Sequence, residues 1–157
     1  MTVTIRPARW YHYCHPRNVR WMNDPTVTEF LAKRSKQTLR STWQYWRSCQ
    51  HAGNIRLYAI YADQRHVGNA GFYDVLPDQA ELRLVIGDRS VWGKGIGTNV
   101  MQAMITEARR LHWKQIMLHV NPKNERAVKL YSKLGFQSAG MVPYPGADDQ
   151  LKMQLPL

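Results

Sequence analysis

Three glycines, Gly93, Gly95 and Gly97, alternate with Lys94 and Ile96 in the stretch SVWGKGIGTNV, Ser90 to Val100. Glycine weakens a helix or strand interior, so this spacing answers to a close approach or a special backbone. The stretch lacks the G-x-x-x-x-G-K-[ST] pattern of a P-loop. A dinucleotide-binding turn would need G-x-G-x-x-G directly after a strand and an acid about 20 positions on. Here Asp88-Arg89-Ser90 intervenes, and WKQIM supplies no acid. A tight turn without a ligand is one remaining reading. The other is a strand end, then a loop whose bare amides point at a pyrophosphate, then a helix N-terminus that completes the anion site. Lys94 adds positive charge to that site.

A loop of this kind needs a strand before it and a helix after it, and the hydrophobic pattern supplies both. Arg56 to Ala62, His66 to Val75 and Ala80 to Gly87 read as three strands with turns too short for helical crossovers, hence an antiparallel meander. After the glycines, Val100, Met101, Met104, Ile105, Ala108 and Leu111 mark one helical face. Gln115 to Val120 reads as a buried strand. Asn124 can cap a further helix that places Ala127, Val128, Tyr131 and Leu134 on one face and stops at Gly135. FQSAGMV and DQLKMQL read as closing strands, with Leu151, Met153 and Leu155 inward. Upstream, Val3 to Ala8 reads as a first strand. Asp24-Pro25 starts a helix with Val27, Phe30 and Leu31 on one side. Leu39, Thr42, Trp43, Trp46 and Cys49 mark a second. Asn69 and Gly71 interrupt their strand as a bulge would. The expected order is β-α-α-β-β-β-α-β-α-β-β, a mixed α/β or α+β sheet.

The chain has 157 residues and is 44% hydrophobic, one domain's worth with enough apolar surface for a core. Its longest apolar run, Leu57 to Ala62, is too short to span a membrane. MTVTIRPARW lacks the apolar stretch of a secretory signal. Cys14 and Cys49 form no C-x-x-C pair and read as free thiols in a reducing cytoplasm. No metal-ligand cluster is visible. The net charge is +11, and residues 1–50 hold nine Lys/Arg against Asp24 and Glu29, a local +7. Such a field draws in anions and repels polycations.

The glycine stretch WGKGIGT resembles motif A of the GNAT superfamily of N-acetyltransferases, usually [Q/R]-x-x-G-x-[G/A], which binds the pyrophosphate of acetyl-CoA. NPKNERAVKLYSKLGF, Asn121 to Phe136, resembles the superfamily's motif B, N-x-x-A-x-x-x-Y-x-K-x-G-F, at every one of those positions. Trp92 departs from the pattern, standing where Gln or Arg is usual. The resemblance covers Gln79 to Val142 firmly and the N-terminal third weakly. It implies a single N-acetyltransferase domain over residues 1–157, with a mixed, mostly antiparallel sheet of six to seven strands, splayed at the cofactor site, and about four helices. It implies acetyl-CoA as cosubstrate and no metal. The pyrophosphate would lie on Trp92, Gly93, Lys94, Gly95, Ile96, Gly97 and Thr98. The pantetheine would pair with the backbone of Val85, Ile86 and Gly87 like an added strand and reach Asn124, with Ala127 and Lys133 in the same motif.

The resemblance further implies direct attack of an amine on the thioester, without a covalent enzyme intermediate. Tyr131 matches the tyrosine that protonates the coenzyme A sulfur, and a phenol of pKa about 10 suits a thiolate leaving group. Glu81 lies eleven residues before Trp92, the separation at which several members carry the glutamate that activates the amine. A carboxylate does this only if burial raises its pKa or a water relays the proton. The alternative for Glu81 is a solvated partner of Arg83, and His119 is the rival base. The segment RWMNDPTVTEFL is similar to two subgroups, one acting on protein N-termini, including those of ribosomal proteins, and one on nucleotide-linked amino sugars. The basic N-terminal third favours an anionic acceptor over aminoglycosides. Arg17, Arg20 and Arg40 would meet a diphosphate, with Trp21 or Tyr13 stacking; a solvated basic face is the alternative. The expected acceptor is an anionic amino-sugar nucleotide, with a protein N-terminus as alternative. A basic coenzyme-A- or nucleic-acid-binding module without turnover is a third reading, although no recognised nucleic-acid motif is present. The expected location is the cytoplasm, and oligomeric state stays open.

Overall fold

Caps and strand alternation set the elements of the computed structural model, which describes residues 1–32 and 34–157. Lys33, one of the basic residues of the N-terminal third, lies outside the described residues. The order is β1 (Val3–Pro7), α1 (Trp10–Tyr13), α2 (Pro16–Asn23), α3 (Pro25–Thr28), α4 (Leu39–Ala52), β2 (Arg56–Ala62), β3 (Arg65–Tyr73) and β4 (Gln79–Ile86). A 3-10 turn at Arg89–Val91 follows, then α5 (Ile96–Arg110), β5 (Gln115–Val120), α6 (Glu125–Lys133), β6 (Gln137–Val142) and β7 (Gln150–Pro156). The strands form one seven-stranded sheet in the order β1-β2-β3-β4-β5-β7-β6. Every neighbouring pair is antiparallel except β4 and β5, which are parallel. This is the mixed, mostly antiparallel sheet expected, and the meander β2-β3-β4 lies where the short turns put it.

The N-terminal helices differ from expectation. A helix forms at α2 because His15 Nδ1 accepts the Arg17 N–H at 3.0 Å and Pro16 occupies the first helical position. Asp24 does cap the next helix, accepting from the Thr26 N–H at 2.8 Å, but α3 ends at Thr28, so Val27, Phe30 and Leu31 share no helical face. On α4, Thr42 and Cys49 are buried, whereas Leu39 and Trp43 are 47% and 42% exposed. The β2–β3 register pairs Ile60 with Gly68 and Tyr61 with His66, so the bulged residue is Val67 rather than Asn69 or Gly71.

The pleat gives each sheet face its own partner. Val100, Met101 and Met104 of α5 are fully buried in a core with Ile60, Val67, Phe72, Leu82 and Ile116. On the opposite face, Tyr13, Cys49 and Leu57 form a smaller cluster under α1 and α4. The site is set by the one parallel pairing. β4 and β5 share three pairs, Gln79↔Gln115, Ala80↔Ile116 and Glu81↔Met117. Beyond these the strands separate, β4 running on to Ile86 and β5 to Val120. Among the described residues no helix is long and apolar enough to cross a membrane, Cys14 and Cys49 are free thiols, and no metal-ligating cluster is present.

Candidate active site

Strand alternation puts Ala80 and Leu82 into the α5 core and turns Glu81 and Arg83 to the α1–α4 face. Glu81, 7% exposed, sits at the last β4–β5 pair. Arg83 donates to both its oxygens, Nε to Oε1 and NH2 to Oε2, each at 2.9 Å. His119 Nδ1 lies 3.1 Å from Oε1. Burial pulls the Glu81 pKa up, but the Arg83 guanidinium and His119 outweigh it and hold the carboxyl below its ordinary value. A carboxylate only accepts, so His119 Nδ1 carries a proton, and in the neutral ring Nε2 is the nitrogen with the lone pair. The His119 ring packs against Tyr144 at 5.7 Å, and its side chain is 19% exposed. The rivals of the sequence reading, Glu81 and His119, thus form one network with Arg83, and Arg83 in turn lies 4.3 Å over the Tyr73 ring.

The glycine loop opens the other side of the gap. Gly93 and Gly95 both have φ of +76°, the left-handed region that favours glycine, and nothing approaches within 4 Å of where a Cβ would stand. Gly95 is the N-cap of α5 without a side-chain cap, and the first turn holds no acid. The amides of Ile96, Gly97 and Thr98 therefore lack intrahelical acceptors. Gly97 is bare for packing instead, since a Cβ would press on Leu130 Cδ2 at 3.3 Å. With Lys94 exposed beside it, this cradle fits a phosphorylated group.

The β4 backbone beside the gap is partly engaged. The N–H groups of Gly87 and Asp88 both donate to Val67 O of β3, at 2.9 and 3.0 Å. Alternation then turns the peptide groups of Leu84 and Ile86 toward the gap, and Trp92 Nε1 donates to Ile86 O at 2.9 Å. Trp92, where the superfamily usually has Gln or Arg, thus reaches back to the strand end. Gly87 is bare because a Cβ would lie inside contact distance of Trp21 Cδ2, Cγ and Cε3.

From α6, Asn124 Oδ1 accepts the Ala127 N–H at 3.2 Å, which leaves its Nδ2 for another partner. Tyr131 stands two turns further on, and burial pushes its pKa up to about 12. Its hydroxyl finds no protein partner among the described residues, yet no buried side-chain polar atom there is unpartnered, so it faces open space. Lys133 is exposed in the last turn, about 13 Å along the helix from Asn124, and the structure does not bring it to the others. Phe30, Lys123, Asn124, Glu125, Arg126 and Lys129 line an open cleft of about 560 Å³ at the start of α6. The expected stacking platforms are absent: Trp21 is 8% exposed against Gly87, and Tyr13 is 7% exposed between Tyr45 and Trp46. Both are consumed in docking the N-terminal helices. Sequence reasoning had the Glu81–Arg83 pair as the alternative to the base role, but as a solvated pair, whereas Glu81 is buried; it missed the contact of Trp92 with Ile86 O.

The fold, the open parallel pairing and the glycine cradle agree with a family match in the sequence. Residues 2–137 match the acetyltransferase (GNAT) domain model, and the chain belongs to that family. It is 30% identical over 95 residues to the L-methionine sulfoximine/L-methionine sulfone acetyltransferase of Pseudomonas aeruginosa, covering 60% of this chain and 51% of that protein. It is 23% identical over 119 residues to an uncharacterized protein of Methanocaldococcus jannaschii, covering 74% of this chain and 25% of that protein. The chain therefore spans between a quarter and about half the length of these curated relatives. Among solved structures, an aminoglycoside acetyltransferase AAC(6')-Ib in complex with coenzyme A superposes with a TM-score of 0.85 at 21% identity, covering 99% of this chain and 95% of that one. RimL, a ribosomal alpha-N-protein acetyltransferase in complex with coenzyme A, gives 0.83 at 18% identity, covering 99% and 94%.

Proposed function

We propose that residues 1–157 act as one N-acetyltransferase domain that moves acetyl from acetyl-CoA to a primary amine. The observation that carries this reading is the parting of β4 and β5 beyond Glu81 and Met117, and the glycine cradle at the start of α5 and a Tyr131 hydroxyl without a protein partner among the described residues support it. When bound, acetyl-CoA supplies the acetyl group and a thiolate leaving group. The amides of Ile96, Gly97 and Thr98, with Lys94, hold the pyrophosphate against the α5 N-terminus. The gap-facing peptides of Leu84 and Ile86, together with Asn124 Nδ2, hold the pantetheine; Val85 and Gly87 shape that wall. Tyr131 keeps its phenolic proton through the working pH range and donates a hydrogen bond to the departing sulfur. The hydrogen-bonded Glu81–His119 pair is the group that takes up the proton of the amine.

An anionic acceptor, such as an amino-sugar nucleotide, suits a site whose carboxylate is already committed to Arg83 and whose cleft presents Lys123, Arg126 and Lys129. The likeness to a ribosomal alpha-N-protein acetyltransferase, beside that to an L-methionine sulfoximine/L-methionine sulfone acetyltransferase, keeps a protein N-terminus as the second reading. The test is labelled acetyl-CoA with a panel of an amino-sugar nucleotide, a free amino acid, an N-terminal peptide and an aminoglycoside. Tyr131→Phe should lower kcat about 10²- to 10³-fold with acetyl-CoA affinity nearly unchanged, as read by calorimetry. Tight acetyl-CoA binding with no transfer to any amine would reduce the protein to a binding module.

A further inference from the structure

Two residues were candidates for the base, and their contacts separate their roles. Both Glu81 oxygens are engaged: Oε2 accepts from Arg83, and Oε1 accepts from both Arg83 and His119. Arg83 is itself held, with its guanidinium over the Tyr73 ring at 4.3 Å and the Tyr73 hydroxyl bonded to that of Tyr45. A clamped, acceptor-only carboxylate is a poor base toward an alkylammonium. His119 stands two residues past the last β4–β5 pair, on the β5 wall where the strands have parted. Its Nδ1 is fixed on Glu81, and its Nε2 has no protein hydrogen bond among the described residues.

Resting on the acetyltransferase reading above, we propose that His119 Nε2 is the base that takes the proton from the acceptor ammonium, and that Glu81, locked by Arg83, is a positioning residue. The step balances. The ammonium gives one proton to His119 Nε2, the freed amine nitrogen bonds to the acetyl carbon, the C–S bond breaks with its electron pair on sulfur, and the nitrogen sheds its second proton to solvent as the amide forms. Tyr131 gives that sulfur its proton and is recharged from solvent, to which His119 releases its own. Net, an ammonium and a thioester become an amide, a thiol and one proton. The Glu81 carboxylate also stabilises the imidazolium that forms, the arrangement that carboxylate–histidine pairs serve elsewhere.

The charged and titratable groups around His119 are Glu81 and Arg83 from β4, Tyr73 beyond them on β3, Tyr144 from the β6–β7 loop and Lys152, its register partner on β7. Of these, only the carboxylate favours the charged ring. Glu81→Gln replaces it and leaves the Arg83 cation behind. The rising limb of the kcat/KM–pH profile then moves to lower pH, with a plateau lowered tenfold or more. His119→Ala should lose about a hundredfold in kcat and regain part of it with added imidazole. Its KM for acetyl-CoA should stay within about twofold.

A second readout needs no turnover: the His119 ring resonances, followed by NMR against pH in wild type and Glu81→Gln, should titrate at lower pH in the variant. A titration midpoint unchanged by Glu81→Gln overturns the coupling. Full kcat with an unaltered pH profile in His119→Ala overturns the base, whereas the absence of transfer to any amine by wild type overturns the acetyltransferase reading instead. If Glu81→Gln does not fold, His119→Ala with imidazole decides the question alone.

Discussion

Acid should unfold this protein in a stage set by one buried histidine. His12 on α1 is 4% exposed, receives the Arg9 N–H on Nδ1 at 2.7 Å and meets the Tyr61 hydroxyl with Nε2 at 2.8 Å. Burial, with help from His66 5.0 Å away and from the Arg6 and Arg9 charges, lowers its pKa from 6.5 to about 4. The unfolded chain therefore binds a proton that the folded chain refuses between those values. Stability is full above pH 6.5 and falls as the pH drops toward 4. Each pKa unit is 1.36 kcal/mol, so this ring alone removes about 2 kcal/mol between pH 7 and pH 5, and about 3 kcal/mol by pH 4. His66, shifted down by burial as well, adds to the loss with the same sign. The assay is urea unfolding followed by tryptophan fluorescence at pH 7.5, 6, 5 and 4.5, in wild type and His12→Asn. Wild type should lose midpoint steeply across this range. The variant, although weaker at pH 7.5 through a lost contact, should lose much less. If both fall with equal steepness, the histidine is not the group that acid attacks.

Gly87→Ala should lower stability by about 2–3 kcal/mol, because the new Cβ collides with the Trp21 indole that anchors α2. Gly95→Ala meets open space and carries only left-handed strain of about 1–2 kcal/mol, yet it should weaken acetyl-CoA binding tenfold or more; unfolding and calorimetry together distinguish the two glycines. Trp92→Phe leaves Ile86 O without its donor and should lose about 1 kcal/mol of stability while acetyl-CoA affinity holds. A collapse of affinity at unchanged stability would show that the indole serves the ligand.

Legibility of the sequence tracked how local each signal was. The meander strands and α5 were readable because alternation and a continuous apolar face are local patterns, and Asn124 capped its helix as its residue type implied. Helix α2 was missed because its start depends on a histidine side chain acting as cap before Pro16, a rarer device than Ser or Asp. The exposure of Trp43, and the burial of Trp21 against Gly87, depend on which helix docks where, which no spacing within one segment encodes. At the site, the glycine cradle and Tyr131 lay within short motifs. The pairing of Glu81 with His119 joins residues 38 apart through parallel strands, and it became visible only with the register.

That register also divides the sheet mechanically. Three residue pairs are the only strand pairing between the four strands β1 to β4 and the block β5-β7-β6 among the described residues. The two blocks are leaves on a short spine, with α5 packed across both, against β1 and β5, and α6 joined to the second by the turn after Val120. A molecule lying along the parted edges spans both leaves, so its binding energy is also cohesion of the protein. Occupancy of those edges and the rigidity of the two leaves are then one variable.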